Sequence, residues 1–386
     1  MRSLGGGGGA ERAVVTLANA MSRRGQRVDL LLGRADGNFL EAVSSDVRVV
    51  DLGGGSWPAA LRLALSQPAR ALGLFTWPPP RVLSCAPALV RYLRSERPEA
   101  LLAGLNYTNL TALWARGCAN VPTRLVLVEH NTLSMRATHA ARRLRSLPSK
   151  VRRFYPEADS LVAVSEGVAD DLAQVMGIER AGVRVIYNPV VGPELEARAR
   201  EPLDHPWFAA GAPPVVVAVG KLRPQKDLAT LIEAFALLRR RRAARLLVLG
   251  DGPLRPQLEA QVRSLGLAGE VGLPGFQRNP YAYLARAALF ALSSRWEGLP
   301  TALIEALACG CPVVATNCPS GPWEILDGGA FGPLVPVGDA EALAGAMESV
   351  LAAPPARESL RQRAELFSAE RGVERYLDAL MATGVA

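Results

Sequence analysis

No stretch of this sequence reaches the ~18 consecutive apolar residues that a membrane-spanning helix needs. The opening, MRSLGGGGGAERAVV, lacks the long apolar core of a secretory signal. Cysteine is scarce: five in 386 residues, an odd number spread along the chain, which argues against a disulfide framework. A reducing cytoplasm is therefore the expected compartment. Cys309, Cys311 and Cys318 fall close together, but a CxC without a partner pair or a nearby histidine is a poor zinc signal. There is no DxD sequence, and no recognisable nucleic-acid-binding module or aromatic-basic motif. No metal and no nucleic acid are expected.

The composition itself is globular: 49% of residues are apolar and 21% charged. The length is too great for one ordinary core and suits two domains. The net charge of +8 is unevenly placed. Residues 1–205 hold 26 basic against 19 acidic residues, and the remainder 18 against 17. Residues 52–95 contain five arginines and no acid. Residues 136–153 contain Arg136, Arg142, Arg143, Arg145, Lys150, Arg152 and Arg153, again without an acid. One reading is a solvated, arginine-rich surface. The other is a surface facing anionic lipid or a phosphorylated acceptor. Trp57, Leu72, Leu74, Phe75 and Trp77 lie in the first basic stretch, a mixture that suits an interfacial segment.

Short β-branched runs alternate with amphipathic helical stretches, as in parallel α/β layers. The segments 27–32, 124–130, 160–165 and 183–190 read as strands of a first domain. Residues 191–213, rich in Pro, Glu and Arg, read as a linker. The segments 214–220, 245–252, 271–276, 288–294, 311–316 and 332–337 read as strands of a second domain. Asp227 is placed to cap the helix LATLIEAFALLRR, and Gly266 to end the one after Pro256. Ligands of such sheets bind at the carboxyl ends of strands, and in a two-domain pair between the domains.

The stretch RWEGLPTALIEALACGCPVVAT sets Glu297 and Glu305 around the start of a helix. Pro300 suits the first turn and Gly310 the end. At ~1.5 Å per residue the pair spans at most about 12 Å along the axis. That is wide for a glycosidase acid pair, which needs roughly 5–9.5 Å. It suits two carboxylates gripping separate hydroxyl groups of one long ligand, with the helix N-terminus between them favouring phosphate. A sugar nucleotide has this order of groups. After the strand 214–220 comes GKLRPQKD. Its Lys221 and Lys226, with Arg223, project from a strand-to-helix loop where a phosphate would bind. Two lysines there neutralise a diphosphate leaving group without a metal. Taken alone, two acids around a helix are a solvated face, and a basic turn is a polar turn.

The segments VGKLRPQKDLATLIEAFALL, LLVLGDGP, LPGF, SSRWEGLPTALIEALACGCPVVAT and CPSGPWEIL, read in this order, resemble the retaining glycosyltransferases of family 4. The first half is similar too, in SLGGGGGAERAVVTLANAMSRRGQRVDLLL, VEHNT, VAVSEGVADDL and VIYNPV. The resemblance implies the GT-B fold: two Rossmann-like, doubly wound α/β domains facing across a cleft. Residues 1–190 would be the acceptor-side domain, 191–213 a linker, and 214–356 the nucleotide-sugar domain. Helices in 357–386 would cross back to the first domain. It also implies roles. Glu297 would bond the donor hexose, helped by the amides of Gly298 and Leu299, and Glu305 the ribose. Lys221 and Lys226 would hold the diphosphate, and Gly275, Phe276 and Arg278 would pass near the base. His130, at a strand end before Asn131, would sit by the transferred sugar. Glu324 either braces the site or is an ordinary acid at a helix start.

Two departures stand out. The family usually has arginine where this chain has Lys221, and lysine keeps the charge but loses bidentate geometry. The family also begins with an apolar strand before its glycine loop, whereas only Met1 to Leu4 precede it here. The start is then either truncated or a stub, and a missing central strand would leave its neighbours unpaired. The run Gly5–Gly9 formally fits GxGxxA, with Asp29 about 20 residues on, but five glycines fit almost any such pattern. A loop at a helix N-terminus, with Gly7, Gly8 and Gly9 facing the acceptor or the donor phosphates, is preferred to a plain linker.

The expected activity is transfer of a hexose or N-acetylhexosamine from a nucleotide-diphosphate sugar, UDP for preference. The acceptor would be a saccharide or lipid-linked saccharide in cell-surface glycan synthesis. Retention of configuration follows from the resemblance. The expected partners are the nucleotide sugar, the acceptor and an anionic membrane surface, at the inner face of the cell membrane. Other readings are an epimerase-type enzyme on sugar nucleotides, a non-catalytic saccharide-binding relative and a nicotinamide dehydrogenase.

Overall fold

In the computed structural model, residues 3–5, 8–74, 79–135 and 145–381 are described. The chain divides into two units. One runs to Asn188 and takes in the residues from Gly372 onward; the other is Pro189–Arg371. Each is built from parallel strands with helices between them, as the alternation of β-branched runs and amphipathic stretches predicts.

The first unit holds β1 (Asp29–Leu32), β2 (Arg48–Asp51), β3 (Ala100–Gly104), β4 (Arg124–Glu129), β5 (Ser160–Ala163) and β6 (Arg184–Val185). They form a pair, β1–β2, and a four-stranded sheet in the order β3-β4-β5-β6. Leu125, Val126, Leu127 and Val128 of β4 are all buried, which explains why this strand reads as a continuous apolar run. Leu4, fully buried, belongs to the core of the β1–β2 pair with Val15, Leu30, Leu32, Phe39 and Val47. Its amide donates to the Asp36 carbonyl and its carbonyl accepts from the Phe39 amide. The strand expected over 183–190 shrinks to two residues, Arg184 and Val185, which pair with Val162 and Ala163, and its partner β5 ends at Ala163.

The second unit holds β7 (Val215–Val219), β8 (Arg245–Leu249), β9 (Val271–Gly275), β10 (Leu289–Leu292), β11 (Val313–Thr316) and β12 (Leu334–Val335). Their order is β12-β11-β10-β7-β8-β9, so the sheet reverses direction of growth between β7 and β10. Val216, Leu231, Phe235, Leu246, Leu289, Leu343 and Met347 make up part of its core. Gly266, in the left-handed region at φ 69°, ends the helix Arg255–Ser264 as its position predicts.

Two expectations are corrected. Residues 191–213 are not a bare linker: Pro193–Arg200 is a helix with proline at its first position and Glu194–Arg198 and Glu196–Arg200 pairs one turn apart. Asn279 bonds the Arg198 carbonyl at 2.8 Å and the Glu201 carboxylate at 2.7 Å, which ties the segment to the second unit. The charges that read as solvated linker are the outer face of that helix. Residues 357–371 likewise stay with the second unit. The helix Arg357–Ala364 buries Leu360, and Arg363 donates to the Glu324 and Ile325 carbonyls. Only from Gly372 does the chain belong to the first unit, where Arg124 bonds the Ala379 carbonyl at 3.1 Å.

Candidate active site

The point where a doubly wound sheet reverses is where the loops leaving its two middle strands diverge and leave a crevice. Here those loops are 220–227, after β7, and 293–300, after β10. Lys226 ends a 3-10 turn, Pro224–Lys226, and its Nζ lies 2.5 Å from Glu297 Oε1. Ser294 donates to the same oxygen at 2.6 Å. Gln225 reaches Oε2 at 3.3 Å and the Trp296 carbonyl at 2.9 Å. The two loops are further pinned by Ser293 Oγ on the Lys226 carbonyl and by the Arg295 amide on the Gln225 carbonyl, both at 2.8 Å. Glu297 is 6% exposed, so its charge depends on these partners rather than on water.

Asp227 does not cap the helix Leu228–Arg241. It sits in the left-handed region at φ 46°, and its carboxylate takes Arg295 Nε at 3.0 Å. This ion pair is a second strut between the same two loops. Sequence reasoning passed over Ser294, Gln225 and Arg295. Their one visible signal was their position beside Glu297 and Lys226.

Lys221 and Arg223 lie in the same loop after β7, and among the described residues neither has an ion-pair partner. Of the three cations in this loop, Glu297 balances one, which leaves a positive field suited to an anion. The loop is held close to its neighbour by Gly250. A Cβ there would lie 1.9 Å from the Gly220 carbonyl oxygen, and its φ is +148°. The Leu222 amide bonds the Asp251 carbonyl at 3.0 Å. Beyond β9, Gly275 adopts φ 87° and Phe276 is 39% exposed. The Arg278 carbonyl accepts from Arg198.

The helix Thr301–Ala308 follows Glu297 by four residues. It has no acid in its first turn and no side-chain bond at its N-cap, so its positive end is not compensated by its own sequence. The Gly298–Pro300 loop before it packs on Gly321. A Cβ on Gly321 would stand 2.5 Å from Pro300 Cδ, and Ser320 Oγ bonds the Gly298 carbonyl at 2.8 Å. Glu305 is 1% exposed in the middle of this helix. Its charge adds to burial in pushing the Cys309 thiol up to about 12. Burial, with Glu297 adding, does the same to Cys318, again to about 12, and burial raises Cys311 as well. All three cysteines are buried thiols, and among the described residues no group of three His, Cys, Asp or Glu is placed to hold a metal ion. Glu324 lies in the first turn of the helix Pro322–Ile325, its carbonyl anchored by Arg363.

His130 belongs to the first unit, directly after β4. Its ring packs on Gly104, where a Cβ would come within 2.9 Å of Nε2. Its Nδ1 is buried without a partner among the described residues. Burial drops its pKa to about 4, which keeps the imidazole neutral at pH 7. The preceding residue, Glu129, takes hydrogen bonds from Asn106 at 2.7 Å, from Asn109 at 3.1 Å and from the Tyr155 hydroxyl. Burial and then Glu129 raise the Tyr155 pKa well above its usual value, so the hydroxyl stays a donor. Gly9 begins the helix Gly9–Arg23, and the Gly8 amide is bonded by Glu11 at 2.6 Å. A carboxylate thus already occupies this helix end, unlike that of Thr301–Ala308. Gly7 lies outside the described residues, as do Phe75, Trp77, Arg136, Arg142 and Arg143. Lys150, counted above as part of a basic surface, is instead buried, with its ammonium on the Gly73 and Leu74 carbonyls. Burial and then Arg153 lower its pKa.

Comparison with known proteins gives this geometry a family. Residues 7–191 match the model for glycosyltransferase family 4, and residues 200–367 the model for glycosyl transferases group 1. Over 263 residues, 68% of this chain and 69% of the relative, it is 33% identical to a Campylobacter jejuni enzyme. That relative is the N-acetylgalactosamine-N,N'-diacetylbacillosaminyl-diphospho-undecaprenol 4-alpha-N-acetylgalactosaminyltransferase. This chain belongs to the family 4 glycosyltransferases. The glycosyltransferase is also 33% identical, over 62% of its length and 68% of the relative's, to the lipopolysaccharide core biosynthesis glycosyltransferase LpsE of Rhizobium meliloti. Its fold is GT-B. It superposes on Anabaena Alr3699/HepE, solved in complex with UDP-glucose, with a TM-score of 0.75. That match covers 97% of this chain and 96% of the other at 21% identity. Among the described residues no helix is long and apolar enough to cross a membrane.

Proposed function

We propose that this glycosyltransferase moves a hexose or N-acetylhexosamine from a UDP-sugar to a saccharide carried on a lipid, with retention at the anomeric carbon. The observation that carries this reading is the Lys226–Glu297 contact of 2.5 Å at the switch point of the second sheet. It joins a cation suited to diphosphate to a carboxylate suited to sugar hydroxyls, just ahead of an uncompensated helix N-terminus. Two named proteins add support: a relative acting on a diphospho-undecaprenol acceptor, and a structural neighbour that binds UDP-glucose.

In this reading Lys221, Arg223 and Lys226 neutralise the diphosphate, in place of a metal or other cofactor. Glu297, with the amides of Gly298 and Leu299, holds the hexose, and Glu305 the ribose. Gly275, Phe276 and Arg278 line the base. The resemblance assigns His130 of the first unit to the transferred sugar, and Gly8 and Gly9 to the acceptor side. The bond from the anomeric carbon to the phosphate oxygen breaks as the acceptor oxygen bonds on the same face. The acceptor proton passes to the departing phosphate oxygen. No enzyme carboxylate becomes covalently attached. The reaction runs at the inner face of the cell membrane, where the basic first unit meets anionic lipid.

A panel of nucleotide sugars, scored by thermal shift and then by transfer to lipid-linked saccharide, tests this. A donor at 100 times its Kd stabilises the folded state by about 2.7 kcal/mol. For a unit of this size that raises Tm by about 5–10 °C. Turnover of the donor with no acceptor present would favour an epimerase, and a shift with no UDP-sugar would refute the donor assignment.

A further inference from the structure

The helix Trp57–Ser66 of the first unit turns its apolar side outward. It buries Ala60, while Trp57 is 37% exposed, Leu61 60% and Leu65 73%. These three lie at i, i+4 and i+8, so they form one stripe along the helix. Leu72, just beyond, is 66% exposed. Single exposed leucines need no explanation, but a stripe on one outer face does. The helix is also firmly seated. Gly55 packs on Ser84, where a Cβ would stand 2.1 Å from the hydroxyl, and the Ser56 amide bonds the Ser84 carbonyl at 2.9 Å. Its outward face is thus presented by a fixed base.

The segment that carries the stripe has charges of one sign only. From residue 52 to 95 there is no acid. Arg62, next to Leu61, is exposed and has no ion-pair partner among the described residues. Arg70 shares Glu157 at 3.4 Å, with both side chains near half exposed. Leucines and a tryptophan beside one unpaired arginine and one only loosely shared match the boundary of an anionic bilayer. There the apolar face enters the acyl region and guanidinium groups stay among the headgroups.

We propose that the stripe Trp57–Leu61–Leu65, with Leu72 and Arg62, is the element that seats this enzyme on an anionic lipid surface. The inference deepens the membrane side of the proposed function and rests on that reading for its purpose, but it needs no donor chemistry. A second copy of the chain is the competing occupant, and charge disfavours it: two such faces would bring like-charged arginines together.

The test is flotation of the purified full chain with vesicles of phosphatidylglycerol and phosphatidylcholine, and with phosphatidylcholine alone. We expect binding to the anionic vesicles that weakens with salt. Leu61→Ser/Leu65→Ser should lower partitioning at least about tenfold, since two inserted leucines are lost. Arg62→Gln should lower it about two- to fivefold. Tm of the double variant should stay within about 2 °C, because these are surface positions. The thermal shift caused by a UDP-sugar, which reads the second unit, should be unchanged. No flotation with anionic vesicles, or flotation undiminished by the leucine pair, overturns the proposal. So does light scattering that finds a dimer dissolved by the same substitutions. Loss of the donor shift in the unsubstituted enzyme would instead count against the proposed donor and leave the lipid proposal standing.

Discussion

Replacing Glu297 by glutamine removes one charge and keeps the shape, and its consequences separate two roles of the Lys226–Glu297 contact. The side chains are 19% and 8% exposed. Removing one partner of a buried ion pair costs ~3–5 kcal/mol. Lys226 keeps some contact with water, so a value discounted below that range, about 2–3 kcal/mol, applies. Tm of the second unit should then fall by about 4–12 °C. Lys226→Met added to Glu297→Gln removes the stranded ammonium, and the double variant should regain most of the loss, a coupling of up to about 3 kcal/mol. The ligand signature runs the other way. With Glu297 neutral, the ammonium no longer divides its field between carboxylate and diphosphate, so UDP should bind Glu297→Gln at least as tightly as the unsubstituted enzyme. The extra affinity given by the sugar of a UDP-sugar should vanish, because the carboxylate proposed to accept hydrogen bonds from its hydroxyls is gone. Calorimetric titration with UDP and with the UDP-sugar, beside thermal melts of the four proteins of the cycle, measures all of this. An unchanged Tm in Glu297→Gln, no recovery in the double variant, or a sugar increment that survives the substitution would refute the reasoning.

Glu305→Gln should weaken donor binding about 10- to 100-fold, the worth of a hydrogen bond to a charged group. A donor analogue lacking the ribose hydroxyls should not register the change, and equal losses for both ligands would rule out the ribose assignment. His130 has its pKa lowered by burial to about 4, below the ~6.5 of the unfolded chain. The unfolded state therefore binds more protons between these values. The stability His130 contributes is complete above pH 6.5 and is lost as pH falls toward 4. At pH 5 the loss is about 2 kcal/mol, and denaturant melts of His130→Gln should lack that part of the slope. Gly250→Ala should destabilise the second unit by more than about 3 kcal/mol, through a Cβ 1.9 Å from the Gly220 oxygen and a φ of +148°. Donor binding should fall with it, since the Lys221–Lys226 loop must move, and a Gly250→Ala variant with an unchanged denaturation midpoint would contradict the packing.

The second unit was legible because its strands are buried on both faces. VVVAV, RLLVL and LFAL carry no alternation to misread, and glycines mark the carboxyl ends of the first two. The first unit was less so. β2 (RVVD) and β3 (ALLAG) are short and only partly buried, so they gave no run long enough to notice. The helix Pro193–Arg200 was hidden because its charges pair one turn apart, a feature of spacing rather than of composition. Asp227 was misassigned for a different reason. Its residue type fits a cap, but the arginine that claims it lies 68 positions away, and only the sheet order brings the two together.

The same distinction governs the site. Glu297 and Glu305 share one helix and its approach, so their relation is local and can be read from spacing. Lys226 is 71 positions from Glu297, and their contact exists because β7 and β10 are neighbours that lead in opposite directions across the sheet. Sequence supplies the charges, and topology decides which of them meet. The reversal of strand order places a loop with three cations against a loop with one buried acid, so the crevice is pre-charged, as the diphosphate site proposed above requires, while its acid is already paired. A resting site of this kind holds no stranded buried carboxylate. In the proposed reaction it would also need little rearrangement as the leaving group develops charge, because the balancing ammonium is in place beforehand. The Asp227–Arg295 pair then acquires a purpose beyond stability. It ties together the same two loops that carry Lys226 and Glu297, so breaking it should loosen the spacing on which that pre-charging depends.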